Sequence, residues 1–272
     1  MKAKKSIGIL DSGVGGLTAV LPMQSMLPQE DIIYFGDTKR MPYGNKSKEE
    51  IIFLANKIIA WLEGQGVKAI LLACNTISSQ IDQLKSHVPI FSIIEAGCRF
   101  AGSLPDKAHT GLIATCATVQ SNAYENCLRK EYPDIQLTAN DSYYLPAIID
   151  SQLSNTPKLN KLIKECIDPI MEKDPKVTNL ILGCSHFPII AKEIQVLYPN
   201  LRLIDPAYEQ IRMLKTFLED NELMNKSNTA PSITLYTTAD TFEFAAAIKR
   251  LGLEINRLEK VGLLEEDLHK EQ

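Results

Sequence analysis

The chain has 272 residues, with 29 Lys and Arg against 33 Asp and Glu, a formal net charge of −4 and 45% hydrophobic residues. That is enough apolar chain for one large or two medium packed domains, and the weakly acidic balance, with no basic stripe interleaved with aromatics, gives nucleic-acid binding no footing. No apolar segment is long enough to span a bilayer and the opening MKAKKSIGIL lacks a secretory apolar region, so a cytoplasmic protein is expected. Its six cysteines (Cys74, Cys98, Cys116, Cys127, Cys166 and Cys184) are then kept as thiols, for packing, metal binding or catalysis.

From the amino terminus, apolar runs of strand length alternate with longer helical patterns, the signature of parallel sheets with crossover helices. Ser6 to Leu10 is expected as a first strand, Gly13 to Gly16 as a turn into a helix reaching about Met26, and Asp31 to Phe35 as a second strand. A polar loop, GDTKRMPYGN over 36–45, follows. Lys48 to Gln65 reads as helix, Val67 to Ala73 as strand, Thr76 to Ser86 as helix and Ile90 to Ile94 as strand. A second unit opens on a strand at Thr110 to Ala114, a weaker echo of the first strand. It continues with helices at Gln120 to Glu131 and Pro157 to Lys173, a strand at Asn179 to Leu182 and a helix from Phe187 to Leu197. A helix from Tyr208 to Asn221 leads into the polar linker Asn225 to Pro231. A strand at Ile233 to Thr237, a helix at Thr241 to Leu251 and a strand at Ile255 to Val261 are expected to complete the first unit. The expected architecture is α/β: two similar domains with mostly parallel central sheets flanked by helices, and an active site in the cleft between them. Residues 1–97 plus 208–272 would form the first domain and 98–207 the second.

Two segments, VKAILLACNT ending at Thr76 and VTNLILGCSH ending at His186, repeat one pattern. Each places a cysteine where a buried strand gives way to a helix. That is the edge at which open α/β sheets bind ligands, and free helix N–H groups there favour anions and thiolates. Asn75 and Thr76 follow Cys74; Ser185 and His186 follow Cys184, where His186 stands to aid a proton transfer. A free cysteine is usually a small buried hydrophobe, and Cys98, Cys116, Cys127 and Cys166 are assigned that role, whereas repetition sets Cys74 and Cys184 apart. His87, His109 and His269 gain nothing from their neighbours. Asp11 and Ser12 precede Gly13, Gly15 and Gly16, a tight turn of the kind that cradles anions, although an Asp at a strand end is often only a helix cap. The turn is not a dinucleotide fingerprint, because Thr18 stands where the third glycine belongs. Pro42, Tyr43 and Gly44 read equally as a plain turn. Two thiols, a carboxylate, an imidazole and several amide and hydroxyl donors on facing sheet edges suit removing a proton from one face of a carbon and returning it to the other. Inversion at a stereocentre needs two such bases.

Taken in order from about Ile7 to Pro206, the segments Asp11-Ser12-Gly13-Val14-Gly15-Gly16, Pro42-Tyr43-Gly44, Ala73-Cys74-Asn75-Thr76, Ile94-Glu95, Thr115-x-x-Thr118-x-x-Ser121 and Gly183-Cys184-Ser185-His186-Phe187-Pro188 resemble the glutamate racemases of the cofactor-independent aspartate/glutamate racemase superfamily. The resemblance implies two α/β domains around one site, interconversion of L- and D-glutamate, and supply of D-glutamate for peptidoglycan. It implies no cofactor and no metal, glutamate as small-molecule partner with neither nucleic acid nor membrane, and a homodimer, which is frequent in the family. It makes Cys74 and Cys184 the two acid/base residues, a thiolate on one side taking the Cα proton while a thiol on the other donates. Asp11 would assist Cys74, and His186 would assist Cys184. Asp11, Ser12, Pro42, Tyr43, Gly44, Asn75, Thr76, Thr115, Thr118, Ser185 and His186 would hold the amino acid.

The chain departs from the family pattern at Ser185, usually Thr, at Ala96, usually Pro, and at Ala114, usually Gly. The segment that supplies a carboxylate in many relatives, Pro-Leu-Val-Glu, is here Pro146-Ala147-Ile148-Ile149, with Asp150 one place later. Either Asp150 takes over near His186 by a shift of register, or that assistance is missing. Three rival readings use the same residues. One is another superfamily activity, such as an aspartate racemase or a decarboxylase. The second is a structural zinc set of Asp11, Cys74, Cys184 and His186, which lacks the short CxxC spacing of most such sites. The third is a two-lobed amino-acid sensor without turnover.

Overall fold

The structure, a computed structural model, describes residues 2–151 and 157–262. Its first half runs β1 (Ile7–Asp11), α1 (Val20–Met26), β2 (Ile32–Gly36), α2 (Lys48–Gly64), β3 (Ala69–Leu72), α3 (Asn75–Ser78), β4 (Ile90–Ser92) and α4 (Ile93–Ser103). There follow β5 (His109–Ala114), α5 (Cys116–Gln120), α6 (Ala123–Glu131), β6 (Gln136–Asp141), α7 (Leu145–Asp150), α8 (Pro157–Lys173), β7 (Asn179–Gly183), α9 (Ala191–Leu197), β8 (Arg202–Ile204) and α10 (Pro206–Asp220). Last come β9 (Ile233–Thr237), α11 (Phe242–Leu251) and β10 (Arg257–Lys260). His269 and the rest of the chain after residue 262 lie outside the described residues.

All pairings are parallel. One sheet has the order β10-β9-β2-β1-β3-β4 and the other β6-β5-β7-β8. The run β2-β1-β3-β4 is thus repeated as β6-β5-β7-β8, so β3 and β7, the strands that lead to Cys74 and Cys184, hold equivalent places. The central strands β1, β3 and β7 are buried along their whole length, which explains their unbroken apolar sequences: helices cover both faces and leave no polar side to alternate. β9 and β10 return to the first sheet beside β2.

Several boundaries differ from the sequence reading for local reasons. The strand expected to reach Ile94 stops at Ser92, because the Ser92 hydroxyl accepts the N–H groups of Ile94 and Glu95 and starts α4 there. That leaves Glu95 exposed on a helix. The helix expected over Thr76 to Ser86 shrinks to the single turn α3 and a second turn at Ile81–Gln83. The helix expected from Gln120 to Glu131 is split at Asn122, whose φ of 54° breaks the run between α5 and α6. β6, α7 and β8 were not expected at all; β6 is an outer strand of its sheet with only Thr138 buried, and so carries little apolar signal.

α4 joins the two halves. Its Ile93, Ile94, Cys98 and Ala101 share one apolar cluster with Tyr124 and Leu128 of α6 and with Ile211 and Leu214 of α10. At the amino-terminal edge of the first sheet, Lys68 and Glu30 form an ion pair with side chains only 3% and 1% exposed. The thiols sit at the opposite edge.

Candidate active site

A cavity of about 310 Å³ lies at the carboxyl ends of the central strands of both sheets. From the first half, Ser12, Pro42, Tyr43, Gly44, Cys74, Asn75 and Thr76 line it; from the second, Thr115, Cys184, Ser185 and His186 do. The two thiols expected from the repeat therefore share one cavity. Asp11 and Thr118 are brought close but stand behind the wall, fully or almost fully buried. A larger open groove of about 720 Å³ runs along α8 past Asn160, Lys164 and Glu172, and no thiol motif reaches it, so size alone does not mark the site.

On one side Cys74 caps α3, with its Sγ 3.4 Å from Ser12 Oγ. Burial, and then the neighbouring Asp11 charge, push its thiol up to about 12. Asp11 closes β1; its Oδ1 accepts the Gly13 N–H at 2.8 Å, and its other oxygen makes no aligned hydrogen bond among the described residues. Burial raises the Asp11 carboxyl above its ordinary range, against the opposing pull of His186. The glycine turn is pressed between the two halves. A Cβ on Gly15 would stand 2.5 Å from His186 Nδ1, and one on Gly16 would stand 2.6 Å from Asp11 Cβ. Glycine is needed here for close approach, as a cradle of this kind requires.

On the other side, Cys184 Sγ is 3.6 Å from His186 Nδ1. His186 Nε2 lies 3.1 Å from Asp150 Oδ2, an ion-pair distance with the ring N–H not lined up on the oxygen. Asp150 thus supplies the carboxylate that the sequence left open. Burial by itself would lower the His186 pKa; the Asp150 charge, with a further contribution from Cys184, overturns this and raises it well above the ordinary imidazole value. Cys74 thus faces a buried carboxyl group, and Cys184 faces an imidazole held by a carboxylate.

Between these poles the wall is made of hydroxyls and amides. Thr76 Oγ1 lies 3.0 Å from Thr115 Oγ1, which is 2.9 Å from Thr118 Oγ1, a chain of hydroxyls that crosses from one sheet's edge to the other's. The Asn75 Oδ1 accepts from the Tyr124 hydroxyl at 2.7 Å. The 36–45 loop is tied down by buried Asp37, which accepts from Tyr43 Oη at 2.6 Å, Arg40 Nη1 at 2.8 Å and Thr238 Oγ1 at 2.6 Å. Gly44 is held against Thr115, whose Cβ a glycine Cβ would meet at 3.0 Å.

Sequence reasoning missed part of the wall. Cys116, assigned to packing, lines the cavity beside Thr115; its place inside the Thr115 to Thr118 motif was the available signal. Tyr143, Pro146 and Ala147 belong to the β6–α7 region, whose only signal was the altered Pro146-Ala147-Ile148-Ile149 segment, read for its carboxylate and not for its wall. Among the described residues, no three His, Cys, Asp or Glu side chains are arranged to hold a metal ion, so the zinc reading lacks a donor set.

Residues 21–214 match the model of the Asp/Glu/Hydantoin racemase family. Glutamate racemase 2 of Caldanaerobacter subterraneus is 34% identical over 256 residues, covering 93% of this chain and 96% of its own. The crystal structure of the Francisella tularensis glutamate racemase in complex with D-glutamate superposes with a TM-score of 0.87 at 35% identity, over 95% of this chain and 98% of that one. A glutamate racemase isoform from Bacillus anthracis gives a TM-score of 0.89 at 31% identity, over the same shares of 95% and 98%. With its family model, near-complete relatives and doubled strand-end thiols all in accord, the chain belongs to the Asp/Glu/hydantoin racemase family, among the glutamate racemases.

Proposed function

We propose that this protein interconverts L- and D-glutamate by moving the Cα proton between two thiols. The observation that carries the reading is that Cys74 and Cys184, from equivalent strand ends of the two sheets, line one cavity. In one direction a thiolate takes the proton from Cα and becomes a thiol, while the thiol opposite gives its proton to the other face and becomes the thiolate. The reverse reaction starts from that exchanged state, so no cofactor enters the balance. By itself the buried Asp11 charge works against a Cys74 thiolate. The same negative field draws in the substrate's ammonium group, whose charge then favours the thiolate. His186, held by Asp150 and 3.6 Å from Cys184, passes a proton to and from that sulfur. Ser12, the backbone N–H groups of Tyr43 and Gly44, and the side chains of Asn75, Thr76, Thr115 and Ser185 offer donors to the carboxylate groups. Hydroxyl and carbonyl oxygens of the same wall accept from the ammonium, and Pro42 shapes the wall, with Thr118 supporting the hydroxyl chain from behind.

Circular dichroism of separate L- and D-glutamate solutions with pure protein tests the proposal: both signals decay to zero. A flat signal, or faster decay with L-aspartate than with L-glutamate, overturns it. Supply of D-glutamate for peptidoglycan, residence in the cytoplasm and assembly as a homodimer belong to the same proposal. Among the described residues no helix is long and apolar enough to cross a membrane.

The charge of Asp150 sets a pH dependence. It raises the affinity of His186 for its proton, so the imidazolium persists to higher pH than it would alone. In Asp150→Asn that support is lost and the imidazolium exists only at lower pH. The alkaline limb of the pH–rate profile then moves to lower pH by about one to three units, the usual effect of a nearby opposite charge. An alkaline limb that stays in place would show that the pair does not govern the Cys184 side.

A further inference from the structure

We propose that Tyr124 is a positioning residue for the racemase site, orienting the amide of Asn75 so that its NH2 group, and not its carbonyl, faces the substrate. This rests on the reading of Asn75 as a substrate-binding residue. Asn75 begins α3 on the first half and lines the cavity; Tyr124 sits on α6 of the second half, 1% exposed and outside the lining. The Tyr124 hydroxyl donates to Asn75 Oδ1 at 2.7 Å, between two residues buried to 1% and 3%. An asparagine amide has one acceptor end and one donor end. With the acceptor engaged behind the wall, the donor end is the one left for the cavity, and an anionic ligand with two carboxylates needs donors there. A reversed amide would turn an oxygen toward those carboxylates.

Two further features fit the hydroxyl to this task. The Tyr124 carbonyl accepts from Cys98 Sγ of α4 at 3.8 Å, which helps fix the turn that carries the ring. Gly97, next to Cys98 in α4, makes room for the phenol: a Cβ there would lie 3.0 Å from Tyr124 Cε1 and 3.1 Å from its hydroxyl oxygen. The bond also spans the two halves, so the donor end of Asn75 is set correctly only when α3 and α6 are in register.

Steady-state kinetics of Tyr124→Phe, Asn75→Ala and the double variant test the idea. Tyr124→Phe raises the KM for glutamate about tenfold and changes kcat less than about threefold, the size of effect expected for one buried hydrogen bond that orders a ligand contact. On the Asn75→Ala background the same change alters KM less than about twofold, because the group it positions is gone. A purely structural hydroxyl would lower Tm and leave KM alone, and would act equally on both backgrounds; either result overturns the proposal. Should Tyr124→Phe not fold, Gly97→Ala decides, since its methyl displaces the hydroxyl without removing it: KM rises about two- to fivefold, and an unchanged KM overturns the proposal. Failure of the wild-type chain to racemise glutamate would fall on the proposed function. A wild-type racemase whose KM ignores these changes would sink this inference alone.

Discussion

Cys74→Ser and Cys184→Ser each lower the rate of glutamate racemisation by about 10³-fold or more, in both directions, while the protein stays folded. Replacing sulfur by oxygen leaves the group at the strand end with nearly the same reach, but a hydroxyl is a far weaker acid than a thiol and is not ionised to a useful degree. General acid–base groups contribute about 10²- to 10⁴-fold each, and racemisation needs both in one turnover, one to take the proton and one to give it. Loss of either therefore stops inversion in both directions. Wild-type turnover in D2O carries deuterium into Cα of the product, and neither variant delivers inverted, deuterated glutamate. Each thiol is almost fully buried at 5% and 6% exposure beside polar neighbours, and the exchange of one atom moves Tm by only a few degrees. If both serine variants racemise at the wild-type rate, the two-thiol mechanism is wrong.

The parts of this site that were legible were those where chemistry and fold leave the same mark. A fully buried parallel strand shows as an unbroken apolar run, and a thiol at its end followed by polar residues is unusual enough that a second copy marks both. The glycine turn after Asp11 was visible because close packing against His186 and Asp11 tolerates no side chain. Less legible was anything that depends on a short element or on contact across the halves. α7 is six residues long and its segment carried no clear period, so the carboxylate needed at His186 could be sought only by counting along a motif that had slipped by one place. Asp150 reaches Nε2 because the helix, not the motif, sets its direction. The Tyr124–Asn75 bond joins residues 49 positions apart and leaves no local pattern. The same holds for Asp37, whose partners Tyr43 and Thr238 come from a loop and from the end of β9. Cys116 was misassigned because exposure to a cavity, unlike burial in a core, has no signature in composition.

Stability rests on a different edge of the molecule, and Lys68→Ala is expected to show it with the largest effect of any single surface-distant change. The Lys68 Nζ lies 2.5 Å from Glu30 Oε2 and also donates to the Ala3 carbonyl at 2.7 Å and the Leu223 carbonyl at 2.8 Å. Glu30 in turn accepts the Asn225 N–H at 2.8 Å. One ammonium group thus gathers the start of the chain, the entrance to β3 and the connection between α10 and β9, while its partner gathers the entrance to β2. Replacing such a pair by apolar groups is often harmless, but removing one member leaves a bare charge in a dry site and costs about 3–5 kcal/mol. For a protein of this size that is a fall in Tm on the order of 10 °C. Lys68→Met keeps the stem and loses the charge, so it falls almost as far. Pairing it with Glu30→Gln restores part of the loss only, because the carbonyls of Ala3 and Leu223 still lack their donor. Cys74 lies past the other end of β3 and Cys184 past the end of β7 in the other sheet, so racemisation measured well below Tm keeps its wild-type kcat and KM. A Lys68→Ala protein melting within about 2 °C of the wild type, a shift worth about 1 kcal/mol or less, would mean that the pair contributes nothing beyond its desolvation cost.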